Sequence, residues 1–359
     1  MIKKKFNKTA DSFLVKQAIE LIAAARKQTV RQTNSVMVFT YFHLGRLIVE
    51  HEQGGKTKAA YGKETIKELS KSLTKQFGQG FSDRNLEQMR LFFVAFKHRK
   101  NELPIPQTLS AKSLPSAATS ETLHRNSIAD IFPLSWSHYV ILSKIKDSNE
   151  RLFYEIESTQ SNWSVREMER QLNSSLFERL ALSKDKKKVK ELANKGQIID
   201  KPEDVLKTSY VLEFLGLEEK ATYTESDLET AIINKIEHFL LEMGKGFLFQ
   251  GRQVRFSFDE EIFFVDLVLY NRLLQCFVLV DLKIGKLKHQ DIGQMQMYVN
   301  YYDRHVKLKY EKPTIGIIIC KDKSDAVVEI TLPKDNKTIF AKEYKLYLPT
   351  KEELKKLIE

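Results

Sequence analysis

Residues 262–283 read IFFVDLVLYNRLLQCFVLVDLK, two apolar runs separated by Asn271-Arg272-Leu273-Leu274. The runs are short and rich in Val, Ile, Phe and Leu, which predicts strands at about Ile262–Tyr270 and Gln275–Leu282. The residues between them fit a hairpin turn. The sequence therefore predicts an antiparallel pair of strands at the centre of a folded domain.

Each predicted strand carries a carboxylate inside its apolar run. Folding the chain about the centre of the turn sets Asp266 opposite Leu279 and diagonal to Asp281, about 7–8 Å away on the same face. Asp281 and Lys283 share a face because side chains alternate along a strand. Uncompensated charges would be costly there. Either the carboxylates hold a cation, or Lys283 forms a buried ion pair with Asp281 or Asp266 and has no catalytic role.

Two converging carboxylates offer only oxygen atoms, which suit Mg²⁺, or Mn²⁺, better than zinc. Such a cation polarises a phosphate and lowers the pKa of a bound water, while Lys283 could orient that water or balance negative charge. The pattern thus predicts metal-dependent hydrolysis of phosphodiester bonds by Asp266, Asp281 and Lys283.

Around the hairpin, the apolar patterning predicts helix, three strands, helix and strand, the order of an α/β sandwich. A long helix begins after Ser226, and a second helix follows the hairpin. The predicted strands are Gln253–Phe258, the two hairpin strands and Thr314–Cys320, with weaker candidates at Val327–Thr331 and Tyr344–Leu348.

The N-terminal part of the chain has helical periodicity instead. Ser82 is a predicted N-cap, and Pro, Ser and Thr residues predict a surface loop at 104–127. We predict a mainly α-helical domain at 10–182, a connection at 183–225 and an α/β domain at 226–350. The predicted helices lie at about 14–25, 36–50, 64–77 and 83–98, followed by a helical stretch from 137 to 182.

Composition narrows the class of protein. The 359 residues carry a net charge of +11, which favours a polyanionic partner such as nucleic acid. No stretch of eighteen apolar residues and no signal-peptide pattern is present, which predicts a cytoplasmic protein with no membrane partner. Gly54-Gly55-Lys56-Thr57 lacks the first glycine of a phosphate-binding loop, so no ATPase is predicted.

An Asp in one strand followed fifteen residues later by Asp-x-Lys resembles the PD-(D/E)XK nuclease superfamily. The sequence around this motif is more specific than the motif itself, and it resembles the YhcG family along nearly the whole chain. The motifs that carry this resemblance include Tyr41-Phe42-His43-Leu44-Gly45-Arg46, Phe77-Gly78-Gln79-Gly80-Phe81-Ser82, Leu134-Ser135-Trp136-Ser137-His138-Tyr139, Gly251-Arg252-Gln253 and Asp281-Leu282-Lys283-Ile284-Gly285.

The resemblance implies a helical N-terminal domain and a C-terminal PD-(D/E)XK-like α/β nuclease domain, with a mixed central sheet flanked by helices, that cuts DNA using Mg²⁺. It implies Asp266 and Asp281 as metal ligands and Lys283 beside the attacking water. Many nucleases of this type pair two active sites to cut both strands, so the resemblance is compatible with a homodimer.

Superfamily members often add a glutamate from the first helix, and Glu229, Glu237 and Glu242 compete for that role. Glu229 lies within the apolar stripe of the helix and is the best candidate as a third metal ligand. The alternative is a capping box with Ser226, which would give only local stability.

On the second helix, Gln294 and Tyr298 share a face and resemble a Gln-x-x-x-Tyr element in which the Gln approaches the active site and the aromatic contacts nucleic acid. Packing of an amphipathic helix is the alternative. Arg252, Lys286 and Lys288 are candidate phosphate contacts, although basic side chains at a sheet edge are usually solvated.

Two other functions stay open. The nuclease-like fold could be a nucleic-acid-binding module with little cleavage. The chain could also be an interaction component of a DNA-processing or defence complex that docks protein partners through its helical domain.

Overall fold

The computed structural model describes residues 33–52, 59–101, 130–181, 186–207, 209–217, 223–258 and 260–348, together with residues 19, 21 and 22. The predicted loop at 104–127 and, apart from those three positions, the predicted helix at 14–25 lie outside the described residues. The chain divides into two compact units, one of Met1–Arg151 with Ser158–Val165 and one of Leu152–Glu157 with Arg166–Glu359.

The first unit is helical, as predicted. Its described helices are α1 (33–52), α2 (Ala59–Phe77), α3 (Asp83–Phe96) and α4 (Trp136–Leu142). The Oγ of Ser82 accepts a hydrogen bond from the backbone N–H of Asn85 at 3.3 Å, so Ser82 caps α3 as predicted. The core side chains that α3 contributes are Leu86, Met89, Phe92, Phe93 and Phe96.

Four more helices follow: α5 (Ser148–Gln160), α6 (Val165–Asn173), α7 (Leu176–Ala181) and α8 (Lys186–Lys195). The first three confirm the helical pattern predicted from 137 to 182, whereas α8 lies in the segment 183–225, which was predicted as a connection. Within the part of the chain that the structure describes, no helix has the length and apolar character needed to cross a bilayer.

The second unit is built on a mixed six-stranded sheet of order β1-β6-β5-β4-β3-β2. Strands β2, β3 and β4 form an antiparallel meander, and β4, β5, β6 and β1 are parallel. The strands are β1 (Ser209–Val211), β2 (Phe247–Phe258), β3 (Glu261–Asn271), β4 (Cys276–Lys286), β5 (Ile315–Asp322) and β6 (Ile339–Lys345).

Helices cover both faces of this sheet. Leu228 of α9 (Glu225–Asn234) and Phe239 of α10 (Ile236–Met243) belong to the core on one face, with Val280 of β4. On the other face, α11 (His289–Tyr301) packs closely on β5, where a Cβ on Gly316 would lie 2.6 Å from the Met295 side chain. This is the predicted α/β fold, a mixed central sheet flanked by helices, which buries apolar surface on both faces.

Three local predictions need correction. The single long helix after Ser226 is two helices, α9 and α10, broken at Lys235. The weak strand candidate Val327–Thr331 was wrong, since these residues lie in helix α12 (Asp325–Thr331). The last strand ends at Lys345 and begins earlier than the predicted Tyr344.

Strand β1 was not predicted. It is three residues long and lies in the segment 183–225, which was read as a connection, yet it pairs with β6 at the edge of the sheet. The domain boundaries at 182/183 and 225/226 stay predictions.

Candidate active site

The hairpin that carries the two aspartates forms, but its register differs from the predicted one. Val268 lies opposite Leu279, where Asp266 was predicted. The turn comprises residues 272–275, because the Asn271 side chain accepts hydrogen bonds from the amides two and three residues later, at 3.0 and 3.1 Å, and stays in the strand. The prediction was therefore wrong by two residues. An even shift keeps each side chain on its predicted face.

The carboxylates lie where the pairing of β3 and β4 ends. The last paired residues are Leu267 and Val280. Immediately beyond them, the Oδ2 of Asp266 accepts a hydrogen bond from the backbone N–H of Leu282 at 2.8 Å. A side chain thus takes over the cross-strand contact from the backbone, and it brings the first carboxylate against the residue that follows Asp281.

Lys283 lies beside the second carboxylate. Its Nζ is 3.0 Å from Asp281 Oδ2 and 3.7 Å from Glu225 Oε2. Asp281 is 2% exposed and Lys283 is partly buried. The structure therefore brings together the three residues predicted from the hairpin sequence, and it adds the first residue of α9, which the sequence reading had not singled out.

Burial determines the protonation of this pair. Desolvation raises the pKa of Asp281, Lys283 opposes the rise and the nearby Asp266 charge adds to it, and together they bring this pKa to about 7. Burial lowers the pKa of Lys283, but the charge and contact of Asp281 outweigh that effect and hold it above its usual range. Lys283 is consequently an ammonium group at neutral pH, whereas Asp281 changes its charge near neutrality.

Glu229 approaches the same place from α9. Its side chain is buried, and its Oε2 accepts a hydrogen bond from Gln253 Nε2 at 2.5 Å. The same amide nitrogen donates to Asp266 Oδ1 at 3.0 Å, so Gln253 links the two carboxylates. The predicted alternative for Glu229 does not form, because Thr224 caps α9 in a capping box with Asp227.

Gln253 is a second residue of this cluster, after Glu225, that sequence reasoning missed. It lies in β2 beside Asp266 and has a positive φ of 45°, which is uncommon for a residue other than glycine. The signal available in the sequence was its place in the Gly251-Arg252-Gln253 motif, which had been given no role.

The other two glutamates considered for the site lie elsewhere. Glu237 is exposed. Glu242 is fully buried in a separate cluster, 2.6 Å from Arg179 Nη1 and 3.4 Å from Lys207 Nζ. Burial alone would raise the pKa of Glu242, but these two cations lower it to about 2.

Gln294 and Tyr298 interact with each other on α11. The Gln294 amide donates to the Tyr298 hydroxyl, which in turn donates to the backbone carbonyl of Phe264 at 2.8 Å. Burial, together with the charge of Asp281, raises the pKa of Tyr298 to about 12. Tyr298 is 1% exposed, which favours packing over direct contact with nucleic acid.

The predicted basic contacts differ in their surroundings. Arg252 is about half exposed and its Nε lies 3.1 Å from Glu229 Oε1, so it already has an acidic partner at the site. Lys286 and Lys288 are exposed at the end of β4 and the start of α11.

The donor set fits a hard divalent cation by its chemistry. Asp281 Oδ2 and Glu229 Oε1 are buried and, within the described ranges, accept no hydrogen bond, although each has a cation nearby. No three His, Cys, Asp or Glu side chains of the described residues are already arranged around a common point. Gln253, Lys283 and Arg252 contact the carboxylates instead. When a cation binds, it would replace some of these contacts.

Comparisons with known proteins cover both parts of the chain. Residues 203–359 match the YhcG PDDEXK nuclease domain, and residues 17–179 match the DUF1016 N-terminal domain. The Escherichia coli (strain K12) protein named "Putative nuclease YhcG" is 42% identical over 345 residues, which are 94% of this chain and 90% of that protein.

Two solved structures are similar over part of the chain. A repair endonuclease from Pyrococcus abyssi is 19% identical over 36% of this chain, with a TM-score of 0.24. The EndoMS-dsDNA2 complex is 15% identical over 38% of this chain, with a TM-score of 0.26. In each case the match spans half the length of the solved chain.

Proposed function

The chain belongs to the YhcG nuclease family, and from this premise we propose that it is a Mg²⁺-dependent endonuclease that hydrolyses phosphodiester bonds in DNA. The family resemblance predicted from the sequence motifs is thereby confirmed. The metal, the DNA substrate and the roles of individual residues are our proposal.

The observation that carries the proposal is the meeting of Asp266, Asp281 and Lys283 where the β3–β4 pairing ends. Glu229 joins them through Gln253. A buried ion pair with no further role would need only one carboxylate for the lysine. The remaining carboxylates are a costly excess of negative charge, which a divalent cation would offset.

In this proposal Asp266, Asp281 and Glu229 hold the cation. PD-(D/E)XK nucleases generally use divalent metal ions, and such an ion, when bound, would polarise the phosphate and lower the pKa of an attacking water. Lys283 remains charged and stabilises the negative charge that develops on the phosphate. Since it holds its proton, it does not act as the general base.

Gln253 and Gln294 position the site. Gln253 fixes the separation of Glu229 and Asp266 through its amide. Gln294 holds the hydroxyl of Tyr298, which anchors α11 to the backbone of β3 next to the site. Lys286 and Lys288 supply phosphate contacts along the DNA, while Arg252 does so only when Glu229 turns to the metal.

A plasmid-nicking assay with the full chain tests the proposal. We expect nicking with Mg²⁺ or Mn²⁺ and none with EDTA. Lys283→Ala should slow nicking about 100- to 1,000-fold, the usual cost of removing one electrostatic stabiliser, with DNA binding retained. Lys195→Ala is the matched control, because Lys195 is an exposed lysine paired with Glu191 on α8.

Two results would contradict the proposed nuclease activity. Binding of DNA or RNA without cleavage of either would make the chain a nucleic-acid-binding module. Equal nicking by the wild-type and Lys283→Ala proteins would leave Lys283 a structural ion-pair partner.

A further inference from the structure

A cavity of about 370 Å³ lies beside the proposed active site, between β2 and α11. This volume is within the range of small-ligand sites. Next to it, a Cβ on Gly293 would meet no atom within 4 Å, so this glycine leaves the wall open. The residues that line the cavity include Phe256, Phe258, Gln296, Asn300, Tyr301 and Arg304.

One side of the cavity is a stack of aromatic rings. Phe256 is stacked on Tyr301, with 4.2 Å between ring centroids and 24° between planes, and on Phe263 at 5.4 Å. Phe258 is 58% exposed at the edge of the cavity. Because Tyr301 and Phe263 already cover Phe256, the ring available to a flat aromatic ligand is the exposed Phe258, on which a base could stack as bases do on protein aromatic side chains.

The other side carries polar groups. Gln296 and Asn300 are four residues apart on α11 and so lie on one face. Each amide offers both donors and acceptors, the combination that the edge of a base requires. Arg304 and His305 add basic groups, and none of the described side chains that line the cavity is acidic.

The backbone is irregular at this point. Residues Tyr302–Val306 form a π-helical turn directly after α11, and it carries Arg304 and His305 to the cavity. Such turns are rare and occur frequently at functional sites. The arrangement favours an anionic ligand with an aromatic part.

Tyr298 links the cavity to the strand that carries Asp266. Phe256 of the cavity wall contacts Tyr298 edge to face at 5.5 Å, and the Tyr298 hydroxyl donates to the backbone carbonyl of Phe264, two residues before Asp266. A nucleotide in the cavity would thus lie on the same side of β3 as the ring that is anchored next to the proposed site of cleavage.

We propose that this cavity binds the base of an unpaired nucleotide and that the enzyme prefers DNA containing unpaired bases. This deepens the proposed function and rests on it for the cleavage step. A protein segment is the competing occupant, but the amides and basic groups of the cavity suit a nucleotide better than an apolar side chain.

The test uses the full chain in EDTA, so that binding is measured without cleavage. The probes are two short duplexes that carry 2-aminopurine, one with this base unpaired and one with it paired. Loss of a stacking contact usually weakens binding about 5- to 150-fold, and we expect Phe258→Ala to do so for the unpaired probe alone.

Two further variants make the test specific. Phe258→Tyr keeps the ring and should restore binding, whereas Asn300→Ala should weaken binding of the unpaired probe with the aromatic wall intact. Tyr310→Ala is the matched control, because Tyr310 is 74% exposed and does not line the cavity. Quenching of 2-aminopurine fluorescence by the wild-type chain reports stacking directly.

Three outcomes would decide against the inference, and a fourth would decide against the proposed function alone. Equal weakening for both probes, or no weakening for either, would overturn it. A change in oligomeric state with Phe258→Ala, without loss of base quenching, would assign the cavity to a protein interface. Selective binding by a chain that never nicks DNA would overturn the proposed function and leave the base site intact.

Discussion

Replacement of Asp281 by asparagine should stabilise the metal-free protein at about pH 8 while it abolishes cleavage. Burial raises the pKa of this carboxyl from 3.8 to about 7. The ionised carboxylate therefore destabilises the folded protein at pH 8. At about 1.4 kcal/mol for each tenfold change, the rise corresponds to about 4 kcal/mol. Because this net shift already includes the attraction of Lys283, we expect a gain of up to about 4 kcal/mol.

The gain should depend on pH in a defined direction. Between about pH 4 and 7, the folded protein keeps a proton on Asp281 that the unfolded chain releases. The free energy of unfolding therefore falls as pH rises through this window, and an asparagine escapes that fall. Urea unfolding in EDTA should show the full advantage of Asp281→Asn above about pH 7 and almost none near pH 4.

Magnesium provides a second readout. A cation that binds only the folded state at about 100 times its Kd adds about 2.7 kcal/mol of stability. We expect this increase in the wild-type protein and a much smaller one in Asp281→Asn.

Asp227→Asn is the matched control with the opposite sign. The Asp227 carboxylate accepts hydrogen bonds from Thr224, and these lower its pKa. Its replacement should lower stability near neutral pH and have no effect once the pH is below its depressed pKa. An Asp281→Asn protein that is less stable than wild type at pH 8, or whose gain is independent of pH, would refute the reasoning.

Three further substitutions test the neighbouring contacts. Gln253→Ala should raise the Mg²⁺ concentration needed for half-maximal nicking about 10- to 100-fold, as loss of a residue that orients metal ligands usually does; an unchanged titration would contradict its positioning role. Tyr298→Phe should lower the free energy of unfolding in urea by about 0.5–1.5 kcal/mol, the net worth of a typical hydrogen bond, because the carbonyl of Phe264 loses its donor; an unchanged free energy of unfolding would contradict this. Arg179→Met should cost about 3–5 kcal/mol, since it leaves Glu242 under-compensated, and adding Glu242→Leu should recover much of that loss.

The hairpin sequence was sufficient to predict the centre of the site. Asp266, Asp281 and Lys283 could be placed together because each charge lies in an apolar run of strand length. Their positions in the two strands put all three side chains on the same face. The register could not be predicted in the same way. It depends on the Asn271 side chain, which binds the amides of the turn and lengthens β3 by a local contact that periodicity does not record.

Short or ambiguous segments were the harder part of the fold. Val327, Val328 and Ile330 are β-branched and suggested a strand, yet they lie in helix α12, where Ile330 is 87% exposed. Intrinsic preference is weak, and tertiary packing overrides it. Strand β1 has only three residues, too few for an alternating pattern to be seen.

Gln253 illustrates why partners of candidate catalytic residues are difficult to predict from a sequence. Its role comes from a left-handed backbone conformation in β2 and from the approach of Glu229 on a helix 24 residues earlier. Neither has a signature in the local composition. The motif that contains Gln253 marked the position without indicating its contacts.

The buried pair of Arg179 and Glu242 has a consequence for how this chain can be recombined with its relatives. The joint between the two matched family regions falls at residues 180–202, yet Arg179 is fully enclosed in the second compact unit. A hybrid joined at that point would combine an arginine from one parent with a glutamate from another. We expect such a hybrid to keep the stability of its second unit only when the two parents together supply this charge pair.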